Sequence, residues 1–374
     1  MKAVAAYPGE RILALTDHET PMLRTPTDVK IRILDVGICG TDKEICAFEY
    51  GTPPPGCDHL VIGHEALGEV VDVGPAVTRV KRGDLVVPMV RRPCRHDDCL
   101  ACREGRQDFC YTGDFTERGI RLEHGFMTEL VVDDERYMHV VPRELRDVAV
   151  LVEPLTIAQK AVTQVWQVQQ RLPWACPIEP GRPPRYCHRA VVLGAGPVGL
   201  LGAISLAAAG FQTFVYSRER APSPRSLLIE QFGAEYLCSE TCPVDQLVQR
   251  VGNIDLIFEA VGASGLAFSV IRVLGTNGVF VFTGVPGRKA PIEVDTDLIM
   301  RDMVLKNQVL FGTVNAGAET YTAAIEALQD FMQRWPEAVR GLITARRPLS
   351  AYRELLLGRP EGIKNVITFE GGGK

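Results

Sequence analysis

The stretch AVVLGAGPVGLLG, residues 190–202, decides the fold of the second half of the chain. Four apolar residues form a predicted buried strand, three glycines follow at the spacing G-x-G-x-x-G, and an apolar helical run comes next. This order is typical of a dinucleotide site, because the glycines turn the chain, admit a pyrophosphate and let the helix pack closely on the strand. The helix N-terminus adds a positive dipole end. The expected cofactor-binding residues are Gly194, Gly196, Pro197, Val198 and Gly199.

Strand and helix patterns alternate on the C-terminal side of this stretch. The apolar runs TFVYS, DLIFE and GVFVF read as strands, and SLLIEQF and LAFSVIRVL between them read as helices. Such alternation predicts a parallel sheet with helices on both faces, the α/β Rossmann fold. We expect this cofactor-binding domain to occupy residues 166–304.

The end of the second strand indicates which dinucleotide binds. An NAD site usually has an acidic residue there, which bonds the ribose 2′-hydroxyl. Here Ser217 takes that position, and Arg218 and Arg220 can pair with a 2′-phosphate. We therefore expect NADP to be preferred. NAD use stays open because Glu219 could serve it, and the arginines could instead belong to a solvated loop.

Residues 1 to about 150 have a different pattern. Short apolar runs such as 29–35, 68–73, 85–88, 128–132 and 138–141 are separated by turn residues every eight to twelve positions. This pattern predicts an all-β, barrel-like unit. A helical pattern follows over 153–172, and the Pro-, Gly- and Arg-rich run 173–184 indicates a linker or surface insertion.

Four cysteines lie within seventeen residues of this β unit: Cys94, Cys99, Cys102 and Cys110. Thiolates at this density fit a tetrahedral structural zinc, although unpaired thiols and disulfides are alternatives. Four residues separate the first two cysteines, and His96 lies where the more usual spacing of two would place a ligand. We favour Cys94, since all-cysteine structural sites are the commoner type.

A second set of residues has the chemistry of an open zinc site, which needs three protein ligands and one free position. Cys39 follows an apolar strand, His64 and Glu65 lie in a GHE motif, and Glu153 opens the helical run. Taken singly, each residue has an ordinary structural explanation: a small core residue, a satisfied core histidine, or an acid at a helix N-terminus.

The bulk composition excludes several classes of protein. The chain has 374 residues, 46% of them hydrophobic, and a formal net charge of -5. This mildly negative charge argues against binding to nucleic acid or to an anionic membrane. No apolar run is long enough for a transmembrane helix, and no signal peptide is recognisable. We expect a cytoplasmic protein, whose eleven cysteines favour metal binding over disulfides.

Together these motifs resemble the zinc-containing medium-chain dehydrogenases. The family pattern G-H-E-x2-G-x5-G-x2-V reads here as Gly63, His64, Glu65, Gly68, Gly74 and Val77. Within the family, the chain is most similar to the archaeal-type glucose dehydrogenases, through CGTD at 39–42, VRRPC at 90–94, GRQDFCYTG at 105–113, ERGI at 117–120, HGFM at 124–127 and GTVN at 312–315.

The resemblance implies a GroES-like catalytic domain, residues 1–165 completed by 305–374. It implies two zinc ions per subunit: a catalytic ion held by Cys39, His64 and Glu153, with Glu65 as a supporting residue or an alternate ligand, and a structural ion. It also implies oxidation of an aldose such as D-glucose at C1 to the lactone, and a homotetramer or homodimer. Residues expected near the sugar or the nicotinamide are Thr41, Glu117, Glu153, Thr313 and Asn315.

Other functions are compatible with parts of the pattern. A polyol, alcohol or threonine dehydrogenase could use the same scaffold. A non-catalytic dinucleotide-binding zinc protein would have no need of the open-site residues. A zinc-finger nucleic-acid binder is disfavoured by the net charge of -5 and by the lack of a basic stripe near the cysteines.

Overall fold

The computed structural model describes residues 1–176, 187–287, 291–359 and 361–369, so most of the predicted linker 173–184 lies outside the described residues. The chain divides into two compact units. Unit 1 comprises Met1–Thr156, Asn315–Gln329 and Ile343–Lys374, and unit 2 comprises Ile157–Val314 and Asp330–Leu342. Within the described residues, no helix is both long and apolar enough to cross a membrane.

The strands follow one another along the chain as β1 Lys2–Tyr7, β2 Ile12–Asp17, β3 Asp28–Gly37, β4 Leu60–Val61, β5 Glu65–Val73, β6 Leu85–Pro88, β7 Arg91–Arg92, β8 Thr116–Arg118, β9 Leu122–Glu123, β10 Leu130–Asp134, β11 Met138–Val141, β12 Arg189–Leu193, β13 Gln212–Ser217, β14 Glu235–Cys238, β15 Leu256–Glu259, β16 Val279–Phe282, β17 Val309–Gly312, β18 Ile343–Pro348 and β19 Lys364–Thr368.

The α-helices are α1 Gly40–Cys46, α2 Leu100–Arg103, α3 Val152–Gln169, α4 Pro197–Ala208, α5 Pro224–Gln231, α6 Leu247–Val251, α7 Ser264–Ile271, α8 Thr296–Leu305, α9 Ala318–Arg334, α10 Pro336–Gly341 and α11 Tyr352–Leu357.

Unit 1 is built on three sheets. Its seven-stranded sheet has the order β11-β6-β5-β3-β19-β18, with β10 also paired to β3. Two three-stranded sheets, β2-β1-β4 and β7-β8-β9, complete the strand pairing. Buried Val, Ile, Leu and aromatic side chains from these strands form one continuous core. The β-rich N-terminal half and the return of the C-terminal segment as β19 agree with a GroES-like fold.

Unit 2 contains a six-stranded parallel sheet of order β14-β13-β12-β15-β16-β17, with β12 and β15 at its centre. The central strands are nearly continuous apolar runs because helices cover both faces of a parallel sheet. The strand order reverses between β12 and β15, as in a Rossmann fold, and ligands bind at such a switch point. The predicted α/β fold class is therefore confirmed.

The last strand of this sheet lies beyond the sequence-based limit of the cofactor domain at residue 304. Val309–Gly312 pairs in parallel with Val279–Phe282 and so extends the sheet of unit 2. An apolar strand of this length has the same local pattern in either unit, and only its pairing partner shows where it belongs.

One pair of cysteines does not follow the expectation that the cysteines bind metal rather than form disulfides. Cys176 and Cys187 form a disulfide, with their Cα atoms 5.5 Å apart. For this pair the expectation was wrong, because cysteine count and spacing carry no information on which residues the fold brings together. The other nine cysteines are unpaired.

Candidate active site and cofactor site

Cys39 and His64 come together in unit 1. Cys39 directly precedes helix α1, and its amide donates a hydrogen bond to Asp42 Oδ2 at 2.9 Å. The other oxygen of Asp42 lies 3.3 Å from Nδ1 of the buried His64. A carboxylate behind one ring nitrogen orients an imidazole to coordinate metal with the other. The fold thus supplies a thiol, an imidazole and the carboxylate that orients the ring.

Burial alone would lower the pKa of His64, but the Asp42 carboxylate and Cys39 raise it well above its usual value. A metal ion at this position must displace that proton, because imidazole binds metal in its neutral form.

Glu65 lies beside these two residues but is held by another partner. The ligand atoms of Cys39, His64 and Glu65 are all within 4.8 Å of one another. Both carboxylate oxygens of Glu65 accept hydrogen bonds from Lys364 Nζ, at 2.8 and 2.6 Å. Burial alone would lower the pKa of Lys364, whereas the Glu65 carboxylate and Cys39 raise it. Because Lys364 neutralises its charge, Glu65 is better suited to supporting the metal ligands than to coordinating the metal itself.

Glu153 opens α3 and is buried in unit 1. Its carboxylate is not part of the 4.8 Å set, but it interacts electrostatically with His64 and Glu65. Burial raises the pKa of Glu153 to about 7, although His64 partly opposes the shift. The effect of burial outweighs that of the nearby His64 and Lys364 cations, so the Glu153 carboxyl is a donor that a divalent ion would stabilise.

Thr41 has its hydroxyl 3.9 Å from the Cys39 sulfur. It therefore lies at the edge of the Cys39 and His64 pair, in the first turn of α1.

The four-cysteine segment forms a second cluster in unit 1. The sulfurs of Cys94, Cys99, Cys102 and Cys110 all lie within 4.8 Å of one another. His96 is outside the cluster, since its Nε2 lies 2.5 Å from Asp114 Oδ2. Despite burial, hydrogen bonds from Thr112 and Gly113 lower the pKa of Cys110 to about 6. Four converging thiols with one favoured as thiolate fit a structural zinc, and the geometry favours Cys94 over His96 as the fourth ligand.

Glu117 is buried in unit 1 and is oriented by two side chains. Its Oε1 accepts hydrogen bonds from Arg91 Nε at 3.0 Å, from Arg91 Nη2 at 2.9 Å and from Asn315 Nδ2 at 2.9 Å. The Arg91 guanidinium stacks 3.7 Å from the centre of the Phe115 ring. The polar atoms on Glu117 and Asn315 therefore form one rigid network suited to binding hydroxyl groups.

The glycine turn of unit 2 has the form that the sequence predicts. Gly194 has φ +98°, and a Cβ on Gly199 would lie 2.2 Å from Gly194 O. A Cβ on Gly196 would meet nothing within 4 Å, so the space beside it can receive a ligand. A cavity of about 740 Å³ opens at this turn, and its lining includes Gly194, Gly196 and the ends of β13 and β14. Its position at the N-terminus of α4 suits a pyrophosphate.

The cavity wall shows how the adenosine ribose can be recognised. Ser217, Arg218, Glu219, Arg225 and Ser239 line it. Arg225 Nη1 contacts Glu219 Oε2 at 2.8 Å, which occupies the one acidic group that could bind a ribose 2′-hydroxyl.

Three predicted cofactor residues have other surroundings. Arg220 is not among the residues lining the cavity, and its Nε contacts Glu240 Oε2 at 2.6 Å. Thr313 follows β17 in unit 2, and its buried hydroxyl has no hydrogen-bond partner among the described residues. Asn315 belongs to unit 1.

Several neighbours were missed by reasoning from sequence. Asp42 stands three residues after Cys39, a spacing that could have indicated a helix-capping acid. Arg225 is only six residues from its partner Glu219, but nothing in the sequence marks the pairing. Three others come from segments distant from their partners, and no local pattern signals them: Arg91, Ser239 and Lys364.

Comparison with known proteins agrees with this architecture. The model of the alcohol dehydrogenase GroES-like domain matches residues 25–143, and the model of the glucose dehydrogenase C-terminus matches residues 146–369. Glucose 1-dehydrogenase of Methanocella arvoryzae is 36% identical, with 98% of this chain and 99% of that protein covered. Glucose 1-dehydrogenase of Thermoproteus tenax is 37% identical at the same coverage.

Solved structures give the same result. Haloferax mediterranei glucose dehydrogenase, in complex with NADP, Zn and gluconolactone, is 33% identical with a TM-score of 0.87, and 99% of both chains is covered. Escherichia coli galactitol-1-phosphate dehydrogenase, at 19% identity and a TM-score of 0.77, shares the fold over 98% of this chain and 100% of that one. The chain therefore belongs to the glucose dehydrogenases of the zinc-containing medium-chain dehydrogenase family.

Proposed function

We propose that the chain is a zinc-dependent glucose 1-dehydrogenase, which oxidises D-glucose at C1 to the lactone and transfers the hydride to NADP⁺. The observation that carries this proposal is the arrangement of Cys39 beside the buried His64 and Asp42. It occurs in a chain similar over its full length to glucose 1-dehydrogenases. The relative from Haloferax mediterranei has been solved with the zinc, the dinucleotide and the lactone product that this reaction involves.

Cys39, His64 and Glu153 are the residues that we expect to hold the catalytic zinc. A soft thiolate, a neutral imidazole and a carboxylate are an ordinary donor set for this ion. When bound, zinc acts as a Lewis acid that favours ionisation of the sugar's anomeric hydroxyl. The Asp42 carboxylate orients the His64 ring, and the buried Lys364 neutralises the neighbouring Glu65.

Oxidation at C1 also releases a proton, which must leave the site. The hydroxyl of Thr41, beside Cys39, is the first carrier that we assign on the way to solvent. This role requires only that Thr41 accept a proton and pass one on.

The sugar hydroxyls are bound, in this proposal, by Glu117 and Asn315. Arg91 fixes the orientation of Glu117 through two hydrogen bonds, and the Arg91 guanidinium is itself stacked on the Phe115 ring. A buried carboxylate in a fixed position rejects substrates that lack the hydroxyl it binds.

NADP⁺ is the oxidant that the cavity of unit 2 favours. Ser217, Arg218 and Arg225 offer a hydroxyl and two guanidinium groups to a 2′-phosphate. The contact between Glu219 and Arg225 engages one oxygen of the acidic side chain that an NAD site would use to bind the ribose 2′-hydroxyl.

A substrate panel tests the proposal. We expect initial rates with NADP⁺ to be highest on D-glucose among glucose, galactose, xylose, sorbitol, threonine and ethanol. Faster turnover of sorbitol, threonine or ethanol would instead assign the chain to another activity on this scaffold. No turnover of any of them by zinc-loaded protein would favour a non-catalytic dinucleotide-binding protein.

We also propose a homodimer or homotetramer in the cytoplasm. Helix α8 supports assembly, since Met300, Val304 and Leu305 are 66%, 71% and 66% exposed. An exposed apolar face of this kind is typical of a contact between protein chains. Nine unpaired cysteines support a reducing compartment, and the Cys176–Cys187 disulfide is the exception to this pattern. Light scattering on the parent and on Val304→Glu tests the assembly, and cell fractionation tests the location.

A further inference from the structure

A cluster of three histidines lies in unit 1, separate from both zinc sets described above. His18 follows β2, His59 precedes β4, and His124 follows β9. One ring nitrogen from each lies within 4.8 Å of the others. Three segments far apart in sequence thus converge through imidazole rings alone.

The rings are packed closely. The ring centres of His18 and His124 are 5.0 Å apart and perpendicular, and those of His59 and His124 are 5.1 Å apart and nearly parallel. Tyr7 lies on the other side of His59, with ring centres 5.1 Å apart. Two nitrogens on one tetrahedral zinc, with Zn–N distances of about 2.0–2.1 Å, lie about 3.3 Å apart. Nitrogens that are within 4.8 Å of one another therefore need to approach by at most about 1.5 Å to share a cation.

His59 has the orientation of a metal ligand. Its Nδ1 lies 2.8 Å from Asp58 Oδ1, and the hydrogen bond to His59 lowers the pKa of Asp58. With the ring proton directed to that carboxylate, Nε2 carries a lone pair. This atom is buried and has no hydrogen-bond partner among the described residues. A histidine between a carboxylate and an open lone pair is the usual arrangement of a metal ligand.

The other two rings are suited to binding in the neutral form. Burial and the neighbouring His18 lower the pKa of His124 to about 4, and burial and His59 lower the pKa of His18. His124 Nδ1 accepts a hydrogen bond from the Val61 amide at 3.1 Å. Coordination through Nε2 therefore requires this ring to move its proton to Nδ1 and give up that one bond.

We propose that His18, His59 and His124 form a third metal site, which binds a divalent transition cation of the zinc type. Imidazole ligands select ions such as Zn²⁺ and disfavour Mg²⁺ and Ca²⁺, which prefer oxygen. The cation would join three separate segments of unit 1 and so stabilise it by mass action. The site does not depend on the proposed dehydrogenase activity.

Metal counting tests the site. Native mass spectrometry of the full-length protein at rising free Zn²⁺ is expected to show one zinc more in the parent than in the double variant His18→Asn/His59→Asn. The control Glu19→Gln changes a charge beside His18 but keeps all three imidazoles, and it should match the parent. Equal zinc content in the parent and the double variant would overturn the proposal.

Two further measurements test the three-histidine site even if the double variant folds poorly. Asp58→Asn retains the three rings but weakens the partner of His59, and it should lower the affinity of the third zinc by about 10- to 100-fold. Cu²⁺ added to parent protein that carries only the two other zinc ions should give an electron paramagnetic resonance spectrum with coupling to several nitrogens. No such coupling in the parent, or unchanged affinity in Asp58→Asn, would contradict the assignment.

Discussion

Glu117 owes its position to residues far away in the sequence. Arg91 and Asn315 both donate to Oε1, and we expect Oε2 to accept a hydroxyl of the sugar. Glu117→Gln keeps the shape and removes the charge. A hydrogen bond to a charged group contributes about 1.5–3 kcal/mol, so kcat/KM for glucose should fall about 10- to 100-fold.

Steady-state kinetics on glucose checks this expectation. Glu123→Gln is the matched control: Glu123 pairs with Arg118 and accepts a hydrogen bond from Thr116, so its loss should leave kcat/KM within about twofold. Equal effects of the two substitutions would remove Glu117 from the sugar site.

Glu153 leads to a prediction about pH. Its carboxyl has a pKa of about 7 before metal binds, so below that pH zinc must displace a proton. Zinc affinity at the catalytic site should therefore rise by about tenfold per pH unit for each displaced proton and level off above the pKa. Glu153→Gln has no such proton and should show a shallower slope.

Competition with a chelator between pH 6 and pH 8 measures this slope. His64 also releases a proton, so the variant should retain part of the dependence. Identical slopes in the parent and in Glu153→Gln would mean that Glu153 does not bind the zinc.

Two arginines lie two residues apart, but only one of them lines the cofactor cavity. Arg218 lines the cavity, whereas Arg220 contacts Glu240. Arg218→Ala should lower kcat/KM for NADP⁺ about 10- to 100-fold and leave NAD⁺ nearly unchanged, because only NADP⁺ carries the 2′-phosphate. Arg220→Ala should change neither by more than about twofold. The reverse pattern would place the 2′-phosphate on Arg220.

At the scale of elements, the strands of unit 2 could be predicted well. The apolar runs at β12, β13, β15 and β16 are buried on both faces, which makes them continuous and easy to recognise. Strand β14 was not predicted because EYLC is short, although Gly233 before it, with φ +77°, is a turn signal. Strand β17 was recognised as a strand, but its partner could not be known from local sequence.

The four-cysteine segment is an element held by its ligands rather than by an apolar core. Its only helix has four residues, and the buried groups around it are mainly the cysteines themselves. Cys102→Ser should therefore reduce the zinc content by one ion per chain and lower the melting temperature.

The exposed and unpaired Cys57 provides the control for that substitution. Cys57→Ser should retain the zinc content and the melting temperature of the parent. Full zinc content in Cys102→Ser, measured by elemental analysis, would contradict a structural zinc at these cysteines.

For the molecule as a whole, the features that could be predicted from the sequence are those that its motifs indicate directly. The glycine turn, the GHE motif and the cysteine spacing indicated the fold class and most site residues. The partners of those residues, such as Lys364 for Glu65 and Arg91 for Glu117, depend on chain crossings that bring together residues up to 299 positions apart. Local sequence periodicity does not indicate which distant residues come into contact. The histidine cluster could not be predicted for the same reason.

The most direct test of the account is NADPH formation from D-glucose by the purified protein before zinc removal, after it and after zinc is restored. We expect turnover that disappears with the metal and returns with Zn²⁺, and that is lost in Cys39→Ala even when zinc is supplied. Glucose oxidation that persists without zinc, or that is unchanged in Cys39→Ala, would contradict it.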